Sequence, residues 1–215
     1  MIIIGAKGFA KEVLEVVHQL NELDHLVFYD DVNLDIPEIL YTKFPVLKSI
    51  SEAQDYFNTI DNRFTIGVGN PILRKKLYDK FTALGGKFVS TISSSSSIGS
   101  YDVVIGNGSN ILAGTIFSNS TIIGIGCIVY YNTIITHDCV IGDFVEISPS
   151  STILGRVTIG SFTQIGSNAT ILPKINIGKN VVVGAGSVVT KDLPDNCVAV
   201  GIPAKIIKEL PILEF

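Results

Sequence analysis

The chain has 215 residues, of which 47% are apolar and 17% charged, and its formal net charge is −4. That length allows one or two domains with a real core. An acidic chain without a basic run argues against nucleic-acid binding, because phosphate contacts need clustered Lys or Arg. Mean hydropathy is high, yet no apolar run approaches the ~18 residues of a spanning helix, so no membrane role is expected. The opening "MIII" stops at Gly5 and reads as a buried strand rather than a signal peptide. The three cysteines, Cys127, Cys139 and Cys197, form no CxxC pair, which points to a reducing cytoplasm without a disulfide framework.

From the start to about residue 90, strands and helices alternate. "IIIG" predicts a strand, and "GFAKEVLEVVHQLNE" a helix with Val13, Leu14, Val17 and Leu20 at helical spacing. "LVFYDD" is a second strand, and "SEAQDYF" a helix with Ser51 as its N-cap. "RFTIGVGN", "PILRKKLYDKFTAL" and "KFVS" follow as strand, helix and short strand, with Pro71 opening the helix. Such alternation implies a small parallel sheet covered by helices, a Rossmann-like α/β domain over residues 1–90.

After "STISSSSSIGSY" charges thin out, glycines multiply and helical periodicity disappears. A period of six takes over. Every sixth residue from Ile105 to Val189, fifteen in all, is Ile, Val or Phe; as these types make up roughly a third of the chain, the chance of this is on the order of 10⁻⁷. Ile92 and Ile98 extend the series backward, with one extra residue before Ile105. Four residues after these positions runs a column of mostly small or β-branched residues that includes Cys127 and Cys139, which are therefore core filler. Three residues after them Gly, Asn and Asp recur, types that tolerate a left-handed corner. "IG" returns at 105, 123, 141, 159 and 177, so three six-residue sides make one eighteen-residue coil. This is the hexapeptide signature of an all-β left-handed parallel β-helix over residues 91–200, with 201–215 as a C-terminal tail. The series amounts to about five full coils after a partial one, each stacked at ~4.8 Å.

His137 is the only histidine of this region; His18 and His25 lie near the N-terminus, where a helix surface and a loop account for them. Two residues past Ile135, His137 occupies an outward corner. The next three coils carry Gly155, Pro173 and Lys191 at that corner. A glycine over an imidazole implies an open groove, and a neutral imidazole, with a reference pKa of about 6.5, suits general-base work. Asp138 either orients the ring or simply makes the turn.

The terminal run "VGAGSVVTKD…GIPAK" resembles the last coils of hexapeptide-repeat acyl-CoA transferases. The whole chain, through "GAKGF", "FYDD" and "GNPILRKK", is similar to the nucleotide-sugar N-acetyltransferases and sialic-acid O-acetyltransferases of bacterial glycan synthesis. The resemblance implies a homotrimer, with acetyl-CoA as acetyl donor in the groove between neighbouring β-helices and a nucleotide sugar on the N-terminal domain. It implies His137 as the base, with Asp138 beside it, and Glu146, Gly155, Ser167, Ala185 and Lys205 toward CoA. Substrate contacts would come from Gly5, Lys7, Gly8, Phe9, Asp30, Asp31, Asn70 and Arg74. Two residues depart from the pattern: Glu146 and Phe9 stand where relatives often carry histidine. "GAKGFA" has GxxG rather than GxGxxG spacing, so an NAD role is not expected, although such a turn can hold a diphosphate on backbone N–H groups.

Acetyl transfer to an amino group of a nucleotide-linked sugar is the leading expectation, with O-acetylation of a sialic acid or related sugar as the alternative. A zinc hydrolase on the same β-helix would need about three converging histidines; only His137 is available, so no metal is expected. A non-catalytic scaffold is the remaining class.

Overall fold

The computed structural model describes residues 1–214. The N-terminal part forms β1 (Ile2–Ile4), α1 (Gly8–Gln19), β2 (Val27–Tyr29), β3 (Ile39–Leu40), β4 (Phe44–Leu47), α2 (Ile50–Thr59), β5 (Arg63–Ile66), α3 (Pro71–Ala83) and β6 (Lys87–Phe88). The sheet order is β3-β4-β2-β1-β5-β6, parallel except for the β3/β4 pair. Helix α1 buries Ala10, Val13, Val16 and Val17. It ends earlier than its periodicity suggests, because Asn21 turns left-handed at φ 57°.

Two local expectations need correction. The N-cap of α2 is Ser49, not Ser51: its side chain accepts from Glu52 N, and Glu52 reaches back to the Ser49 N–H. This reciprocal capping box outcompetes a serine with no acid three residues on. The β3–β4 pair was not expected, because Pro45 lacks a donor for the ladder; Val46 supplies the N–H instead, to Glu38 O.

From Thr91 the chain coils as the hexad predicts, a left-handed parallel β-helix. Its first face stacks Thr91–Ile92, Asn110–Ile111, Ile128–Val129, Glu146–Ile147, Gln164–Ile165 and Val182–Val183. The second face runs from Ser97–Ile98 to Val188–Val189, and the third from Val104–Ile105 to Asn176–Ile177. In the repeating coils the second residue of each pair points inward, and from Ile111 to Val183 these residues are at most 2% exposed. Each such Ile or Val contributes about 1.5–3 kcal/mol on burial. Cys127 and Cys139 lie fully buried in the small-residue column. The tail segment is ordered into a hairpin, Cys197–Gly201 against Ala204–Glu209, which continues the first face.

The corners carry the regularity. Every sixth residue from Gly108 to Gly186 has a φ between 54° and 73°. Several are not glycine, among them Asp138, Phe144, Arg156, Phe162 and Lys174, although a left-handed conformation costs roughly 1 kcal/mol per L-residue. The offset is a hydrogen bond: from Ser120 to Gly186 each corner N–H reaches the carbonyl of the coil before, as in Arg156 N to His137 O (3.0 Å) and Lys174 N to Gly155 O (2.9 Å). Phe144 and Phe162 also stack across two coils, 5.7 Å apart and nearly coplanar.

The N-terminal domain sits on the first face. Asn110 accepts from Thr65 (2.9 Å) and Thr91 (2.6 Å) and donates to Ile66 O (2.9 Å). Phe88 fills the space above Gly108, where a Cβ would lie 2.0 Å from its ring. Arg74 is the main rivet. Only 1% exposed, its guanidinium donates to Gly69 O, Gly126 O (3.0 Å), Phe144 O (2.6 Å) and Val145 O (3.2 Å). Burial pushes it down to about 10, still charged at neutral pH. Replacing Arg74 by Met leaves these carbonyls without their donor, and should lower unfolding free energy by about 3 kcal/mol or more. Denaturant unfolding checks this; a loss under about 1 kcal/mol would contradict the rivet.

Candidate functional site

The edge between the second and third faces stacks Asn119, His137, Gly155, Pro173 and Lys191. The His137 side chain is 58% exposed. Its ring does not leave an open groove over Gly155; it fills the groove. A Cβ on Gly155 would lie 2.6 Å from His137 Cε1 and Nε2, so glycine is what lets the imidazole lie along the edge.

Asp138 serves both roles left open by the sequence. Its φ of 59° makes the corner, and its Oδ2 stands 2.8 Å from His137 Nδ1. The bond from His137, helped by Arg156, holds the Asp138 carboxyl below the usual carboxylate range. A carboxylate only accepts, so in the neutral ring Nδ1 carries the proton and Nε2 presents its lone pair outward. That is the tautomer a general base requires. Arg156 Nε lies 3.6 Å from the same Oδ2. Sequence reasoning missed Arg156, although the coil period marks it, eighteen residues after Asp138.

A second concavity, about 360 Å³, lies on the N-terminal domain. Gly5, Lys7, Gly8 and Phe9 line it from the β1–α1 turn, Asp30 and Asp31 from the end of β2, and Gly67–Gly69 and Leu73 from beyond β5. Lys7 is the N-cap of α1 but makes no side-chain cap, so the first N–H groups of the helix remain available to an anion. Lys7 pairs instead with Asp35 at 2.9 Å on the exposed rim. Asp31 is held below its usual range: burial raises it, but the bond from the Tyr29 hydroxyl (2.6 Å) and Lys80 (3.3 Å) outweigh that.

Three of the expected substrate contacts carry structural bonds within the chain. Asp30 is buried, and both its oxygens accept from its own surroundings: Ala6 N, Val32 N, Asn33 N and Asn33 Nδ2. It ties the glycine turn to the loop after β2. Asn70 caps α3 by accepting from Leu73 N at 2.9 Å and does not line the cavity. Arg74 is the buried rivet already described.

The residues expected near CoA divide between two edges. Gly155 lies over His137 on the second/third edge, while Ser167 and Ala185 stack on the edge between the first and second faces. Lys205 is exposed on the terminal hairpin. Glu146 points outward from the first face, its Oε2 accepting from Gln164 Nε2 at 3.2 Å and lying 3.9 Å from Arg74 Nη1. Burial raises its carboxyl above the usual range against the pull of Arg74 and Gln164. Gln164 is a second partner missed in the sequence, again eighteen residues on. Among the described residues no group of three or more His, Cys, Asp or Glu side chains could hold a metal ion, and no helix is long and apolar enough to cross a membrane.

Known proteins share both halves. Residues 1–81 match the PglD N-terminal domain family, and residues 156–191 match the bacterial transferase hexapeptide (six repeats) family. PerB from Caulobacter crescentus, solved with CoA and GDP-perosamine, is 30% identical over 96% of each chain with a TM-score of 0.86. WeeI from Acinetobacter baumannii AYE is 30% identical over 96% of this chain and 100% of its own, TM-score 0.85. The acetyltransferase domain of PglB from Neisseria gonorrhoeae FA1090, in complex with acetyl coenzyme A, is 29% identical over 96% of this chain and 98% of its own, TM-score 0.85. A search of curated protein sequences finds no match. The chain belongs to the hexapeptide-repeat, left-handed β-helix acetyltransferases of the nucleotide-sugar N-acetyltransferase and sialic-acid O-acetyltransferase family. It is an acetyltransferase whose donor is acetyl-CoA.

Gly155→Ala tests the packing of the edge. Because the clash falls on a movable ring rather than on backbone, the variant should fold normally while acetyl transfer drops by at least about tenfold as the His137 ring is displaced. Wild-type kcat/KM in a folded variant would contradict this.

Proposed function

We propose that the enzyme acetylates an amino group on a nucleotide-linked sugar in bacterial glycan biosynthesis, in the cytoplasm, with His137 as general base. The nucleotide occupies the cavity of the N-terminal domain. Its diphosphate lies at the open N-terminus of α1, beside Lys7, Gly8 and the Gly5 turn, with Asp31 toward the nucleoside. The acceptor nitrogen attacks the thioester carbonyl of acetyl-CoA, and His137 Nε2 takes the proton this nitrogen sheds. Collapse of the tetrahedral intermediate breaks the C–S bond, and the imidazolium returns the proton to the leaving CoA sulfur. Asp138 keeps Nδ1–H directed inward and stabilises the imidazolium. The N–H of Gly155 donates to nothing among the described residues, which suits it to the thioester oxygen.

The observation that carries the reading is the separation of these parts. The cavity belongs to a domain seated on the first face, whereas His137 stands on the opposite edge of the prism. One chain therefore does not bring its own base to its own cavity; a second copy does. The exposed Ile116 and Ile134 of the second face, and Val104, Ile122 and Val140 of the third, flank the His137 edge and support burial against neighbouring copies in a homotrimer. The groove between copies would bring Gly155 of one chain toward Ser167 and Ala185 of the next, with CoA between them and Lys205 near its phosphates. The GDP-perosamine bound with CoA in PerB supports a nucleotide amino sugar over a free sialic acid.

Thiol release from acetyl-CoA should be measured across UDP-, GDP-, CMP- and dTDP-linked amino sugars and sialic acids. A nucleotide amino sugar is expected as the best acceptor, and His137→Ala should lower its turnover at least about 10²-fold. Preference for a sialic acid, or an undiminished His137→Ala rate, would overturn the reading.

A further inference from the structure

One carboxylate at the junction of the cavity and the β-helix has no part in the mechanism above. Gly69 lines the cavity; its carbonyl accepts from Arg74, and a Cβ on it would lie 3.8 Å from Glu146 Oε2. On the other side of the same opening, Phe9 lines the cavity and its ring packs 5.2 Å from that of Tyr130. The cavity thus meets the first face of the β-helix between Phe9–Tyr130 and Gly69–Glu146. Oε2 is fixed from behind by Gln164 at 3.2 Å, with Arg74 at 3.9 Å. Oε1 has no partner among the described residues and is not enclosed. A carboxylate held by one oxygen presents the other to whatever leaves the cavity toward the β-helix.

We propose that Glu146 is a specificity-determining residue that selects an amine over a hydroxyl as the acceptor, by accepting a hydrogen bond from the acceptor nitrogen through Oε1. The inference rests on the acetyl-transfer reading of the same site and names the feature that chooses the acceptor. An attacking amine, –NH2, carries two hydrogens. One goes to His137 Nε2; the other remains for Glu146, and this bond strengthens as the nitrogen becomes positive during attack. An attacking hydroxyl carries one hydrogen, which the base removes. Glu146 would then face only oxygen lone pairs, a repulsive contact in a half-buried site. The raised carboxyl of Glu146 fits a group that gains its missing stabilisation from an N–H donor on the substrate.

The test uses UDP-, GDP- and dTDP-linked 4-amino sugars, GDP-perosamine among them, each paired with the counterpart bearing a hydroxyl in place of the amine. Wild type, Glu146→Gln and Glu146→Asp are compared for kcat/KM toward the best amino sugar and for the inhibition constant of its hydroxyl counterpart. Unfolding midpoint and CoA binding serve as controls on folding. Glu146→Gln should lose about 10- to 100-fold in kcat/KM for the amine, and should bind the hydroxyl counterpart as well as or better than wild type. Glu146→Asp, which keeps the charge, should recover part of the loss. If amine turnover is unchanged in Glu146→Gln, or amine and hydroxyl suffer equally, Glu146 does not select the acceptor. If wild type transfers acetyl to none of the amino sugars, the acetyl-transfer reading itself fails, and this inference with it.

Discussion

The hydrogen bond from each left-handed corner to the coil before it is the constraint on which the rest of the molecule depends. It joins residues nineteen apart, as from Arg156 N to His137 O, and so sets the eighteen-residue coil in register at its edges as well as along its faces. The bond explains why Phe144, Arg156, Phe162 and Lys174 accept a conformation that glycine takes more cheaply. It also fixes the edge that carries His137. The carbonyl of His137 is pinned by the coil above, the side chain is pinned by the Asp138 carboxylate, and Gly155 leaves the ring room to lie flat. The imidazole is thus held by elements that also make the scaffold.

The second dependence is the joint between domains. The contact combines polar bonds through Asn110 and Arg74 with apolar packing of Phe9 on Tyr130, Tyr78 on Phe144 and Phe88 over Gly108. Arg74 spends its donors on carbonyls of two coils and of the loop lining the cavity. The cavity is therefore set at a fixed height along the β-helix, as the proposed site between copies requires. Any sugar presented from it meets the same coils each time, those of Tyr130 and Glu146.

The β-helix was legible because its inward column, its small-residue column and its corners each repeat with one period, and burial follows period directly. The same period marked His137 as outward. It also pointed to Arg156 and Gln164, had the residues one coil above Asp138 and Glu146 been read as neighbours. What the sequence did not show falls where burial is set by tertiary contact. Arg74 in "RKK" looks like surface charge or a substrate contact, and nothing local says that a β-helix will cover it. Asp30 and Asn70 are short polar side chains that serve their own backbone, and a binding carboxamide or carboxylate has the same letters. Ser49 and Ser51 differ as caps only through Glu52, and the β3–β4 pair depends on a register that Pro45 disguises.

The central claim is that cavity and base come from different copies of the chain. Complementation tests it most directly. His137→Ala removes the proposed base; Gly8→Glu sets a carboxylate at the open end of α1, where a Cβ meets nothing within 4 Å and folding should be undisturbed. Each variant alone should be inactive. Co-expressed as mixed oligomers, they should regain acetyl transfer, since an intact cavity on the His137→Ala chain can face an intact His137 on the Gly8→Glu chain. Mixed oligomers that form yet remain as inactive as either parent would contradict the account.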